Sequence, residues 1–140
     1  MSNYIFEICA NSAESVVQAQ LGGAQRVELC AGIPEGGTTP SYGEIKAALK
    51  SDIDVNVIIR PRAGDFLYTE RVWEIREDDI EAIRESGNHG VVFGCLTADG
   101  EIDTTAMKRL MGHCKGLSVT FHRAFDVCRQ PRLALEQIID

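Results

Sequence analysis

The 140-residue sequence lacks an excess of basic residues. It has 14 Lys and Arg residues against 21 Asp and Glu residues, and its net charge is -7. Non-specific binding to nucleic acid or to an anionic membrane needs a basic surface, so the composition argues against both. No apolar run approaches the roughly 18 residues of a membrane span, and the first residues contain neither a basic region nor a signal-peptide core. We therefore expect a cytoplasmic protein with no nucleic-acid or membrane partner.

Common phosphate-binding and zinc-binding motifs are also absent. The first predicted strand is not followed by G-x-G-x-x-G, and the chain contains no G-x-x-x-x-G-K-[ST], so a nucleotide-binding open sheet is unsupported. The five cysteines form no C-x-x-C pair, and no Cys/His spacing offers the four ligands of a structural zinc site. In a reducing cytoplasm, this odd number of cysteines predicts free thiols.

What the sequence does contain is a repeated alternation of strand and helix patterns. Strands are predicted at residues 4–9, 26–31, 54–59, 90–96 and 117–123. Capping signals open helices after Asn11 or Ser12 and at Ser41, a further helix starts near Asp103, and Pro131 opens the last one. Five such units predict a parallel sheet with right-handed crossovers, either as an open doubly wound sheet or as a closed (β/α)8 barrel.

The third predicted helix is defined by its apolar spacing. Trp73, Ile80 and Ile83 share one face, and Gly87 ends the helix. The charged run at residues 76–81 is interpreted as the solvated side of this helix. In this interpretation the helix packs against the sheet and supplies no candidate site residue.

Side-chain alternation gives four of the five strands one apolar face and one polar face. The apolar face carries Tyr4, Phe6, Ile8, Val27, Leu29, Val55, Val57, Ile59, Leu117, Val119 and Phe121. The opposite face carries Glu7, Cys9, Arg26, Glu28, Cys30, Asn56, Ile58, Arg60, Ser118, Thr120 and His122. Strands of doubly wound sheets are usually apolar on both faces, whereas a barrel would turn the apolar face to its helices and the polar face inward. The alternation therefore favours the barrel.

Polar candidates collect near the C-terminal ends of the predicted strands, where barrel enzymes have their active sites. Arg60, Arg62 and Arg123 could clamp an anionic group. The catalytic candidates are Glu7, Glu28, Asp65, His122 and Asp126. Among them His122 is the best single acid–base candidate, because the unperturbed pKa of histidine lies near neutrality. The alternative is a ring of salt bridges that plugs the barrel.

Two cysteines end a short internal repeat. The tetrapeptide E-I-C-A at residues 7–10 recurs as E-L-C-A at residues 28–31, which places Cys9 and Cys30 at the ends of successive strands. Adjacent parallel strands are roughly 4.8 Å apart, so the two thiols could hold a soft monovalent metal ion such as Cu(I). Alternatively, both are small side chains packed in the barrel.

Six segments, in order along the chain, resemble the CutC copper homeostasis protein family. They are F-E-I-C at 6–9, R-V-E-L-C at 26–30, G-G-T-T-P-S at 36–41, I-I-R-P-R-A-G-D-F at 58–66, V-F-G-C-L at 92–96 and T-F-H-R-A-F-D at 120–126. The segments at 58–66 and 120–126 are the most specific. One small departure is Ala63, where many members have glycine.

The resemblance implies a TIM-barrel fold, a cytoplasmic location, a role in copper tolerance and Cu(I) ligands at Cys9 and Cys30. Its pocket maps onto Glu7, Glu28, Arg60, Arg62, Asp65, His122, Arg123 and Asp126. Family members complete eight strand–helix units, so residues 1–140 are expected to be the N-terminal part of one incomplete barrel domain, stabilised as a homo-oligomer. The alternatives to a Cu(I)-binding protein are a barrel enzyme acting on a small anionic metabolite and an inactive barrel fragment.

Overall fold

A computed structural model describes residues 4–139 of the chain, in which strands and helices alternate as predicted. The strands are β1 Glu7–Ala10, β2 Arg26–Leu29, β3 Asp54–Ile58, β4 Gly90–Phe93 and β5 Ser118–Phe121. The α-helices are α1 Ala13–Leu21, α2 Tyr42–Ala48, α3 Glu70–Glu85, α4 Thr104–Met111 and α5 Pro131–Ile139. Short 3-10 helices lie at Ile33–Glu35 and Arg123–Val127.

The strands form one sheet in the order β1-β2-β3-β4-β5, and every neighbouring pair is parallel. A doubly wound sheet reverses its strand order at a switch point, and this sheet does not. Crossovers of one hand between strands in sequential order carry the helices to the same side of the sheet. The fold is therefore α/β, and the helices pack against one face of the sheet and leave the other face without helix cover from these crossovers.

The face that packs against the helices is the predicted apolar one. Val27 and Leu29 of β2 and Val55 and Val57 of β3 are fully buried in the main hydrophobic core, as is Ile59 just beyond β3. These are the central strands, so their apolar side chains are covered along the whole strand. The predicted alternation is confirmed there.

Helix starts follow the capping signals. The Ser12 hydroxyl accepts a hydrogen bond from the Ser15 amide at 3.1 Å, and the Ser41 hydroxyl accepts one from the Glu44 amide at 3.2 Å. Each bond satisfies an amide that has no partner inside its helix. The starts of α1 and α2, and that of α5 at Pro131, are confirmed.

The beginning of the first predicted strand is wrong. The side chains of Tyr4 and Phe6 are 86% and 56% exposed, and the ladder with β2 begins only at the pair Glu7 and Arg26. The Phe6 amide donates instead to the Gln25 side chain at 2.8 Å. Since β1 is an edge strand in the described part of the chain, no second neighbour extends the pairing of residues 4–6.

The interpretation of residues 76–81 as a solvated helix side is also wrong for Arg76, whereas Ile80 is buried as its apolar spacing predicts. Arg76 and Ile80 are both fully buried. Arg76 follows Trp73 by three residues and precedes Ile80 by four, so the three side chains lie on one face of α3. That face packs on the sheet.

The opposite face of the sheet is less polar than predicted. Cys30, Ile58 and Val92 form a separate small apolar cluster there, and each is no more than 3% exposed. Asn56, two residues before Ile58 in β3 and on the same face, is 1% exposed. The polar side chains of this face therefore lie around an apolar centre. No helix within residues 4–139 is both long enough and apolar enough to cross a membrane.

Candidate functional site

A cavity of about 900 Å³ lies on this second face, beyond the strand ends. Its walls come from β1, β2 and β5, from the loop around the first 3-10 helix, and from α5. Six of the predicted site residues line it: Cys9, Glu28, Cys30, His122, Arg123 and Asp126. The structure thus brings the cysteines together with part of the predicted polar cluster.

The two cysteines meet on the cavity wall. The Sγ atoms of Cys9 and Cys30 are 3.5 Å apart, and the Cys30 thiol also lies 3.5 Å from the Ala10 carbonyl oxygen. Cys9 is exposed, whereas Cys30 is 2% exposed. Burial, followed by the hydrogen bond with Cys9, raises the pKa of the Cys30 thiol to about 12. The pair is therefore a thiol pair with one accessible and one enclosed sulfur.

The two glutamates of the repeat lie at different positions along their strands: Glu7 is at the start of β1, and Glu28 is near the end of β2. Glu7 is the first residue of β1 and forms a salt bridge with Arg26, away from the cavity. The predicted position of Glu7 at a strand C-terminus is therefore wrong. Glu28 lines the cavity, and burial, followed by the charge of Glu7, raises its pKa. Of the two, Glu28 is the one that lines the cavity, where burial disfavours the charged form of its carboxyl group.

His122 closes the cavity behind β5. Its Nδ1 atom accepts a hydrogen bond from the Ala124 amide at 3.2 Å, and its ring lies 5.0 Å from that of Phe66. A Cβ atom at Gly94 would lie 2.7 Å from Nδ1 of His122 and 2.9 Å from the Phe121 ring, so only glycine leaves room for the imidazole. The Nε2 atom is buried and has no hydrogen-bond partner within residues 4–139.

His122 is neutral near pH 7. Burial, followed by the charges of Arg76 and Arg60, lowers the pKa of His122 to about 3. Because Nδ1 accepts a hydrogen bond, the ring proton lies on Nε2. The pKa near neutrality that favoured His122 as an acid–base group is therefore not retained in the fold.

Arg123 and Asp126 are both exposed on the cavity rim. The Arg123 Nη1 atom lies 2.9 Å from the position that a Cβ atom of Gly36 would occupy, so the glycine allows the guanidinium to approach the loop. In the described part of the chain, Arg123 makes no hydrogen bond and no ion pair. Its donors are available to a ligand.

Arg60 does not line the cavity. It is 3% exposed, and its Nη1 atom donates to the carbonyl oxygens of Glu35 and Gly37, both at 2.8 Å. Its Nη2 atom donates to the Gly64 carbonyl at 2.9 Å, and the guanidinium lies 5.1 Å from the centre of the Phe66 ring. Arg60 therefore joins two loops by hydrogen bonds to backbone.

Arg62 and Asp65 also lie outside this cavity. The Arg62 Nη2 atom donates to Oδ1 of Asp65 at 2.8 Å and to the Leu67 carbonyl, and the guanidinium stacks 4.9 Å from the Tyr68 ring. The hydrogen bond from Arg62 lowers the pKa of Asp65, which stays ionised. The contacts of Arg62 and Asp65 therefore stay within the loop at residues 62–68.

A buried arginine that the sequence analysis does not predict, Arg76, lies behind the cavity. Arg76 donates to the Cys95 Sγ atom at 3.3 Å and to the Gly94 carbonyl at 3.4 Å, and its guanidinium lies 4.4 Å from the Tyr68 ring and 4.9 Å from the Trp73 ring. No carboxylate within residues 4–139 pairs with it. Its spacing from Trp73 and Ile80 was the available signal.

Comparison with known proteins decides the family. The family model described as "CutC family" matches residues 4–140. The chain belongs to the CutC family. It is 67% identical over 138 residues to a family protein CutC of Parabacteroides distasonis, covering 97% of this chain and 57% of that protein. It is 48% identical over 139 residues to the human copper homeostasis protein cutC homolog, covering 99% of this chain and 51% of that protein.

A solved CutC structure has the same fold. The crystal structure of CutC from Streptococcus agalactiae superposes with a TM-score of 0.90 at 37% identity, covering 96% of this chain and 67% of that one. This chain spans 57% of the Parabacteroides distasonis CutC and 51% of the human homolog. The range matched by the CutC model includes every candidate residue from Glu7 to Asp126.

Proposed function

We propose that this CutC-family chain takes part in cytoplasmic copper homeostasis by binding Cu(I) through the thiolates of Cys9 and Cys30. The observation that carries the proposal is the 3.5 Å separation of the two Sγ atoms on the cavity wall. Thiolates are soft ligands of the kind that favour Cu(I), zinc and iron–sulfur clusters. The name of the human relative, a copper homeostasis protein cutC homolog, supports the same assignment.

The donor set suits an ion that needs few ligands. Within residues 4–139, no group of three or more His, Cys, Asp or Glu side chains is placed to hold a metal ion. Two thiolates would therefore be the ligands that this part of the chain supplies. Since burial raises the pKa of Cys30 to about 12, Cu(I) has to displace a thiol proton, and affinity should rise with pH.

Anaerobic titration with Cu(I) against a chromogenic Cu(I) chelator tests the proposal. Loss of a metal's outer-shell partner alone costs about 10- to 100-fold in affinity, so Cys9→Ser and Cys30→Ser should each weaken binding by at least about 100-fold. Cys128→Ser is the matched control, because Cys128 is a buried thiol that does not line the cavity. Unchanged affinity in both cavity variants would overturn the proposal.

A second candidate is an enzyme that acts on a small anionic metabolite. It is favoured by Arg123, whose guanidinium lines the cavity without a hydrogen bond or ion pair in the described residues. Inorganic phosphate and succinate serve as probes in a thermal-shift assay. A rise in Tm that is lost in Arg123→Met supports this candidate, and the absence of any selective rise in the parent protein removes it.

We also propose that the five strand–helix units form part of a TIM barrel. The sequential strand order supports this, as does the match to a CutC chain of which this chain covers 67%. In such a part-barrel β1 and β5 are edge strands, and pairing with a second copy would cover them. Sedimentation of the chain tests self-association, for which a monomer at all concentrations is the contrary result. A folded chain that binds neither Cu(I) nor anions would instead identify an inactive barrel fragment.

A further inference from the structure

We propose that Cys9 and Cys30 also form an oxidative modification site, at which a hydroperoxide oxidises Cys9 and Cys30 then closes a reversible disulfide. The inference needs no bound metal and stands independently of the Cu(I) proposal. If both hold, the disulfide removes the two thiolates that would otherwise bind the metal ion.

The geometry brings the two sulfurs close to bonding distance. Cys9 pairs in register with Glu28, and Cys30 lies two residues further along the chain, just past the end of β2 and on the same face of the sheet. The Sγ atoms are 3.5 Å apart, and a disulfide bond is about 2.05 Å long. A hydrogen bond of 2.9 Å from the Cys30 amide to the Ala10 carbonyl keeps the two backbones together beside the pair. Because Cys30 lies two residues beyond the register partner of Cys9, closure requires rotation of the exposed Cys9 side chain together with a shift of the end of β1 toward Cys30.

Access makes the reaction selective for Cys9. Of the five cysteines, Cys9 alone is exposed, whereas Cys95, Cys114 and Cys128 are 0%, 4% and 8% exposed. The Cys114 thiol donates to the Leu110 carbonyl at 3.3 Å, and Cys95 contacts the Arg76 guanidinium. Oxidation of thiols follows exposure and thiolate character. Cys9, on the cavity wall, is the sulfur that an oxidant reaches first.

The chemistry balances with hydrogen peroxide as the oxidant. The Cys9 thiolate attacks one peroxide oxygen, the O–O bond breaks, and the departing hydroxide takes a proton to become water, which leaves Cys9 as a sulfenic acid. The Cys30 sulfur then attacks the Cys9 sulfur and the S–O bond breaks. The departing hydroxide takes the Cys30 proton and leaves as a second water. Two thiols lose two electrons in total, and the peroxide gains them.

The test uses metal-free chain in the presence of a chelator. The protein is treated with hydrogen peroxide, alkylated, and analysed by intact mass and peptide mapping. We expect two of the five thiols to become resistant to alkylation, a cross-linked peptide that joins Cys9 to Cys30 within one chain, and full recovery with dithiothreitol. The matched control Cys128→Ser should form the same cross-link.

A second variant isolates the first step. In Cys30→Ser no disulfide can close at this site, so dimedone should trap the sulfenic acid at Cys9. The proposal is overturned if all five thiols of the parent remain free, if the cross-link joins other cysteines or separate chains, or if dimedone labels another cysteine. Because no copper is present, failure here leaves the Cu(I) proposal intact, and a failed Cu(I) titration leaves this one intact.

Discussion

Two arginine-bearing regions beyond strand ends differ in what their guanidinium groups contact. After β3, Arg60 is 3% exposed and donates to three backbone carbonyl oxygens. After β5, Arg123 is exposed and has neither a hydrogen bond nor an ion pair within residues 4–139. Loop carbonyl oxygens therefore occupy the guanidinium of Arg60, whereas none within residues 4–139 reaches the guanidinium of Arg123.

The glycines of the preceding loop explain why Arg60 finds its carbonyls. Gly36 and Gly37 have φ angles of 84° and 91°, which favour glycine. A Cβ atom at Gly37 would lie 3.3 Å from the Ile58 side chain, so the glycine also lets the loop approach β3 closely. The loop carbonyls of Glu35 and Gly37 then lie within 2.8 Å of Arg60.

The largest expected effect comes from removing the arginine that joins the loops. Arg60→Met keeps the aliphatic length but leaves three carbonyls without their donor, so we expect a loss of about 3 kcal/mol in the free energy of unfolding. Urea denaturation followed by circular dichroism measures it. A loss below about 1 kcal/mol would mean that water replaces the guanidinium, and the contrast with Arg123 would disappear.

The next largest effect is expected at His122, which lies beside Arg123 and should make the stability of the fold depend on pH. Its folded pKa of about 3 lies below the ordinary 6.5, so between these values the unfolded chain binds a proton that the folded chain does not. Stability is therefore lost as pH falls, by about 2 kcal/mol at pH 5. His122→Asn keeps an acceptor for the Ala124 amide but does not titrate, so the parent should lose about 2 kcal/mol more than this variant between pH 8 and pH 5.

Denaturation with urea at both pH values checks this difference. Other titrating groups are common to the two proteins and cancel in the comparison. Equal pH dependence in the parent and in His122→Asn would show that the imidazole becomes protonated within the fold.

The smallest effects are expected at the exposed arginines. Arg62→Met removes a salt bridge with Asp65 whose partners are 39% and 73% exposed, which should cost less than about 1 kcal/mol. Arg123→Met should change the free energy of unfolding by no more than about 0.5 kcal/mol. Measured beside Arg60→Met, the three variants form one series of identical chemistry. If Arg123→Met costs as much as Arg60→Met, the guanidinium of Arg123 is structural.

Much of this arrangement could be predicted from the sequence, because parallel strands impose it. The two-residue alternation placed Val27 and Val57 in the core and Cys9 and Cys30 on the opposite face, and the fold confirms both placements. The ladder brings the two copies of the repeat together with an offset, since Cys9 pairs with Glu28 and Cys30 lies two residues further on. No knowledge of the loops was needed for that prediction.

Other features depended on contacts that no pattern of residues reveals. The hydrogen bonds of Arg60 come from carbonyls on loops whose paths are set by glycine conformations and by packing. The neutral state of His122 follows from burial and from Arg76, which was mistaken for part of a solvated face. In that case the sequence does hold the signal, since Arg76 shares the helical spacing of Trp73 and Ile80, and this periodicity outweighs its charge.

Gly94 makes the back wall of the cavity intolerant of mutation. Because a single added carbon would lie 2.7 Å from the His122 ring and 2.9 Å from the Phe121 ring, even alanine has no room there. In a library encoding all amino acids at position 94, selection for folded protein should return glycine codons almost alone. Every missense change of that codon should therefore impair folding, although the residue has no side chain with which to bind or react.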